Sequence, residues 1–341
     1  MKNTLNITNG DHASELMAQA KIPGEYLPWR DCLHQGPVPA NLSLTELSKV
    51  RANYLQDTFM PPEMDIQSDM RQRDQMLLNK TQYQQLILWF EHDLYDQLQL
   101  LQILDTLAES TSSQCQLKLI CIDHFPGIES FHGLGQLTPQ QLASLANSAQ
   151  IISNTQLTLA QSGWHAVRSP TPQALIEYLK QDLTPLPYMH QAIRRLMQEY
   201  PSIENGLSRT EQQILQQLKN GPLDPITLFC ANQEMEEARY LGDACLWGII
   251  KSLTTGRQPL LETVTGKPFS QLPHKLPKGN FRKQMLQLTS LGNKVLAGER
   301  DRMRDSHVDY WVGGVHIGQI NDWRWHGGDA TIINTGTMST P

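Results

Sequence analysis

The chain has 341 residues, 39% of them hydrophobic and 18% charged, a length for roughly two domains and a composition that excludes a disordered chain. Its net charge of −6 excludes a global basic field for nucleic acid or anionic membrane and leaves a local basic patch as the one route to such partners. Five cysteines without a C-x-x-C pair, a start (MKNTLNITNG) without an apolar core and no apolar run near the ~20 residues of a membrane helix point to a cytoplasmic protein with reduced thiols and to no membrane partner.

Residues 4–9 read as a short strand that turns at Gly10-Asp11 into a helix with Leu16, Met17 and Ala20 on one face. Residues 25–28 are a second short strand. A loop dense in turn formers follows, Trp29 to Pro39. Ser43 and Glu46 have capping-box spacing at the head of the next helix. Residues 63–80 form a polar crossover helix. Leu86–Phe90 is wholly apolar, the pattern of a strand buried on both faces. It runs into Glu91-His92-Asp93 and then a helix over 94–107. Residues 117–122 are a fourth strand, ending in Asp123-His124. Thr138 and Pro139 start another helix. Residues 164–168 are expected to be a fifth strand, followed by a helix through Leu179.

Strands alternating with helices over residues 1–183 predict an α/β domain, a Rossmann-like, mostly parallel sheet with helices on both faces. Residues 184–206 are a linker with one helix. Residues 207–298 have the outline of a winged helix-turn-helix: a helix opened by the Ser208–Glu211 capping box, a short helix over 226–231, a long helix over 234–253, a ribbon of residues 259–264 and 284–288, and a last helix. Residues 299–333 read as a small β-hairpin region and 334–341 as a frayed tail.

In a parallel sheet the carboxyl ends of the strands share one edge, where ligands bind. That edge would gather Asn9, Asp11, Asp31, His34, Glu91, His92, Asp93, Asp123 and His124, with Gly10, Arg30 and Gly36 as further ligand-binding candidates. Asp93 is a candidate metal ligand, since Asp, Glu and His can hold a divalent ion. Glu91, His92, Asp31 and His34 are the candidate catalytic groups. Asn9, Gly10 and Asp11 form a strand-to-helix turn able to hold phosphate through backbone N–H groups, and Arg30 would neutralise it. Helix capping and the helix dipole alone account for Asp93 and Asp96. They leave Glu91 and His92 unexplained. In the winged-helix outline the 234–251 helix carries four acids against two bases. That disfavours groove reading and leaves protein docking or phosphate contact by the ribbon, where Lys275, Lys278, Arg282 and Lys283 lie.

Three strings, NITNGD at 6–11, LPWRDCLHQGPVP at 27–39 and LWFEHDLYDQLQLLQIL at 88–104, resemble the bacterial family filed as domain of unknown function 1835. Gly313–His316 resembles a C-terminal string of such proteins. The resemblance implies a class of protein and no reaction. Two functions are expected. One is an enzyme or ligand-binding protein acting on a phosphorylated or nucleotide-like ligand, a hydrolase or transferase of phosphoryl or acyl groups aided by a divalent metal ion. The other is a ligand-sensing regulator whose winged helix binds DNA or a transcription partner.

Overall fold

Leu86, Leu88 and Phe90 enter one hydrophobic layer while Ile87 and Trp89 enter another. This is why the strand Tyr83–Glu91 is continuously apolar: both of its faces are covered. The computed structural model describes residues 2–60, 63–108, 115–270, 280–318 and 322–336.

The sheet contains β1 (Lys2–Thr8), β2 (Glu25–Pro28), β3 (Tyr83–Glu91), β4 (Gln116–Ile122) and β5 (Gln150–Ile151), in the order β2-β1-β3-β4-β5. The first four are parallel and β5 is antiparallel to β4. Helix α1 (Asp11–Gln19) joins β1 to β2 on one side. Helices α2 (Leu44–Thr58) and α3 (Ile66–Leu78) then carry the chain back across β1 to β3. The chain therefore departs in opposite directions from the β1–β3 pair, which opens a crevice beyond their carboxyl ends. Helix α4 (Leu94–Ala108) links β3 to β4, and α5 (Pro139–Ser144) precedes β5. α1 and α5 pack on the face that holds Ile87 and Trp89, whereas α2, α3 and α4 pack on the other.

The fifth strand expected over Trp164–Arg168 is instead the last part of α6 (Asn154–Arg168). Ser153 and Gln156 form its capping box, and Leu159, Ala160, Gly163, Trp164, Ala166 and Val167 are buried at helical spacing. The last five residues bury Trp164, Ala166 and Val167 on one broad side of the helix, a window too short to carry the helical period. The sheet edge is occupied by the two-residue β5.

After α7 (Gln173–Tyr178) and α8 (Met189–Met197) come α9 (Arg209–Gln217), α10 (Pro225–Gln233) and α11 (Asp243–Leu253). The ribbon β6 (Leu261–Thr263) and β7 (Leu286–Leu288) follows, then α12 (Ser290–Leu296) and α13 (Arg302–Asp305). The expected long helix over 234–251 is not continuous. Glu234 is the C-cap of α10 and Gly242 the N-cap of α11. Between them Glu236 and Glu237 bind Arg195 and Arg209. Two of the four acids that weighed against groove reading are therefore partners of arginines on α8 and α9, Glu234 pairs with Arg239, and α11 itself carries only Asp243 and Lys251 as charged residues. His274, Lys275 and Lys278 lie outside the described residues.

The C-terminal region forms two hairpins, β8 (Tyr310–Val312) with β9 (Val315–Ile317) and β10 (Trp323–His326) with β11 (Thr331–Asn334). The turn of the first interlocks with the α/β part. Gly314 N donates to Val167 O at 2.8 Å and Val38 N to Gly313 O at 3.0 Å. A Cβ on Gly314 would collide with the carbonyls of Arg168 and Ser169. Arg168 in turn donates to Pro39 O and Leu42 O at 2.9 and 2.7 Å. Among the described residues no helix is long and apolar enough to cross a membrane.

Candidate functional site

The alternation that sends Ile87 and Trp89 to the α1 and α5 face sends Glu91 there too, at the end of β3. Two residues later α4 begins. Asp93 accepts from Asp96 N at 3.1 Å, so it caps this helix as its position suggested. Asp96 is not accounted for by the helix dipole alone. It faces back to the strand end, accepting from Glu91 N at 2.6 Å and from Asn9 Nδ2 at 2.8 Å. Asn9 also donates to Glu91 Oε1 at 3.3 Å. Ligand atoms of Glu91, Asp93 and Asp96 thus lie within 4.8 Å of one another, all buried.

A loop over 131–136 covers this cluster. Leu134 N donates to Glu91 Oε1 at 2.5 Å. Gly133, at φ +141°, lies so close to the Glu91 carboxylate that a Cβ would strike it; the backbone requires glycine there. His12 on α1 holds the same loop through Gly135 O at 3.1 Å.

Removal from water is the main force on these groups. Burial, with the neighbouring Asp93 adding to it, pushes the Glu91 carboxyl up to about 8. Burial pushes Asp93 up to about 7, despite the N–H groups of Asp96 and Tyr95. Asp96 is raised well above the usual carboxylate range by burial and then by Glu91 and Asp93. Among the described residues, none of the hydrogen-bond partners of the three is a cation. Three crowded carboxyls in such a place either keep protons or hold a metal ion. A hard divalent ion fits an all-oxygen donor set of this kind.

Of the residues singled out in the sequence, Asn9, Glu91 and Asp93 are brought together here. Gly10 stands at the mouth, its backbone extended and with no atom within 4 Å of a Cβ position. Asp11 and Arg30 join across the ends of β1 and β2 in a half-exposed ion pair, with Nε 2.8 Å from Oδ2. His92 turns to the other face. Its ring packs edge-on against Tyr188 with centroids 6.0 Å apart, and its Nδ1 has no partner. Burial lowers its affinity for a proton. It borders a groove of about 340 Å³ with His190 and Arg194.

The residues of the β2 loop lie apart from the carboxylates. Asp31 and Arg51 form a fully buried pair at 2.8 Å. Arg51 also donates to the carbonyls of Cys32, Gln35 and Pro37, so the pair shapes the loop. His34 is buried between Tyr95 and Tyr240, and Gly36 packs on the Tyr54 ring. Glu91 and His92 do not face this loop.

Sequence reasoning put Gln97 on one face with Asp93 and Asp96 but missed Gln99 and Gln102 of α4. Gln97 donates to Glu91 O at 2.6 Å and Gln99 to Asp31 O at 2.9 Å, and Gln102 accepts from Trp29 Nε1 at 2.9 Å. The signal was present: three amides on a helix otherwise rich in leucine need buried partners. No family model matches the chain, and no curated protein matches it.

Proposed function

We propose that the chain binds a phosphorylated or nucleotide-like ligand in the β1–β3 crevice and transfers or hydrolyses its phosphoryl group with a divalent cation. The observation that carries this reading is the set of three buried carboxyls, Glu91, Asp93 and Asp96, without a cationic partner. They would hold the ion, which supplies charge neutralisation at the phosphoryl oxygens. The open backbone at Gly10, the start of α1 and the Arg30 guanidinium would receive the rest of the ligand. His92 turns to the Tyr188 side and His34 lies between Tyr95 and Tyr240, so neither is given the proton transfer in this reading. The 6–11 and 88–104 strings, on which the resemblance to the family of unknown function rests, contain Asn9, Glu91, Asp93 and Asp96.

The test is calorimetric titration of Mg²⁺ and Mn²⁺ into the chelator-treated chain, followed by nucleotides and phosphosugars in their presence. Cation binding lost in Asp96→Asn and Glu91→Gln, with a ligand-dependent rise in Tm, is expected. The reading fails if neither ion nor any ligand binds at millimolar concentration.

A second reading keeps α9 to α12 and the ribbon as a winged-helix docking module, which their order supports. Gly248, Ile249 and Ser252 of α11 line a cavity shared with His34, so the helix that would enter a DNA groove has part of its surface turned toward the α/β part. Protein docking therefore fits better than DNA reading. An electrophoretic shift of duplex DNA at low salt, lost in Arg282→Ala and Lys283→Ala, would reverse that order.

A further inference from the structure

A cavity of about 770 Å³ separates the β2 loop and α2 from the C-terminal elements. It shares no lining residue with the carboxylate cluster. Its size is that of a small-molecule site, for which about 300–1,000 Å³ is usual. Its aromatic wall is Tyr54 on α2 with Tyr310 and Trp311 on β8, and Val50 and Ile249 add aliphatic surface.

The carboxylates in its wall are all partnered. Glu199 is bound by Arg195 and Glu211 by Arg302, each at 2.6 Å, and Asp309 shares a hydrogen bond of 2.6 Å with His316. No pair has a charge to spare for a phosphate. The unmet needs are hydrogen bonds. Both ring nitrogens of His34 and Nε of Arg302 are buried without a partner, an arrangement that costs free energy unless something answers it. The His34 ring is neutral at ordinary pH, because burial and then the Arg51 charge lower its pKa to about 3. A neutral imidazole offers one donor and one acceptor. As the walls stand, water does not reach either nitrogen, so pairing requires the ring to turn between Tyr95 and Tyr240.

We infer that this cavity binds a small, uncharged, planar heteroaromatic molecule against Tyr54, Tyr310 and Trp311. Aromatic faces suit a flat ring, the balanced ion pairs disfavour a charged one, and His34 and Arg302 call for a ligand with both donors and acceptors. The walls come from α2 and from α11 and β8, so the bound molecule ties the two ends of the chain together. This site is independent of the phosphoryl chemistry proposed for the sheet edge.

The experiment is equilibrium dialysis of the full chain against indole, adenine and riboflavin, with inorganic phosphate as competitor. Ser252→Trp and Thr255→Trp, at exposed positions on the cavity mouth, place a bulky ring across the entrance without disturbing the core. At least one probe is expected to bind saturably with a Kd below about 1 mM, and each Trp variant that melts like wild type should weaken it more than tenfold. Glu91→Gln should leave the affinity unchanged. The inference is overturned if no probe saturates, if the Trp variants bind as wild type does, if Glu91→Gln removes binding, or if phosphate competes.

Discussion

Asn9, the residue after β1, donates its side-chain amide to Asp96 in the first turn of α4 at 2.8 Å. Through this bond and the one to Glu91, the end of β1 is fastened to the end of β3 by a neutral group set among acids. Asn9→Ala leaves two buried carboxyls short of a donor and should cost about 1–3 kcal/mol. Urea unfolding at pH 7 reads this directly, and an unchanged midpoint would show the amide to be dispensable.

The raised carboxyls give the metal-free protein a pH dependence of known sign. The unfolded chain releases the Glu91 and Asp93 protons near pH 4, whereas the native chain holds them until about 8 and about 7. Native protein then binds more protons than unfolded protein, so stability declines as pH rises through that window. Melting curves in chelator should show the decline, and Glu91→Gln should reduce it.

His34 acts in the opposite direction. Its folded pKa is about 3 against about 6.5 when unfolded. The unfolded chain takes up a proton first, so this contribution is present above about pH 6.5 and is lost as pH falls toward 3. His34→Leu should flatten the acid limb of the same melting series; a limb of unaltered steepness would assign the acid sensitivity to other groups.

Asp31→Asn and Glu91→Gln make the same chemical change with opposite expected effects. The first leaves the buried Arg51 guanidinium without its carboxylate and should destabilise by about 3–5 kcal/mol. The second relieves crowding among acids and should raise the melting temperature of metal-free protein above pH 7. Thermal melts of the two variants side by side check both signs.

Because the native carboxyls hold protons near neutrality, a divalent ion entering the cluster must displace them. Calorimetry of Mn²⁺ at pH 7 in buffers of different ionisation enthalpy should give heats that differ by the protons released. Identical heats in every buffer would mean the ion binds to groups already ionised.

Most of the sheet was legible in the sequence, because β3 and β4 are largely apolar runs of strand length and the short strand expected over 25–28 is β2. Residues 164–168 misled because α6 is buried along one broad side, so a short window of Trp, Ala and Val carries no helical period. Residues 234–242 misled because acids beside a helix look like its exposed face; here Glu236 and Glu237 answer Arg195 of α8 and Arg209 of α9, which lie far away in sequence. At the site, Asp93 as a cap and Glu91 as a strand-end acid could be read locally. The turn of Asp96 back toward Asn9, and the cover provided by Gly133 and Leu134, depend on pairings across 87 and 43 residues. No local pattern reports such pairings.

The Gly313-Gly314 turn, bonded to Val38 and Val167, also governs when the protein can fold. During synthesis the α/β segment leaves the ribosome long before residue 313 does. Until then the 38–42 loop and the end of α6 lack the backbone partners that hold them. Contacts between such distant parts of a chain form slowly, and an N-terminal part that waits for its C-terminal strand exposes its surfaces in the interval. This junction therefore closes only after the Gly313-Gly314 turn has left the ribosome, and a chain that stops before the hairpin lacks more than its own last strands: it leaves the loop after β2 without its closing bonds.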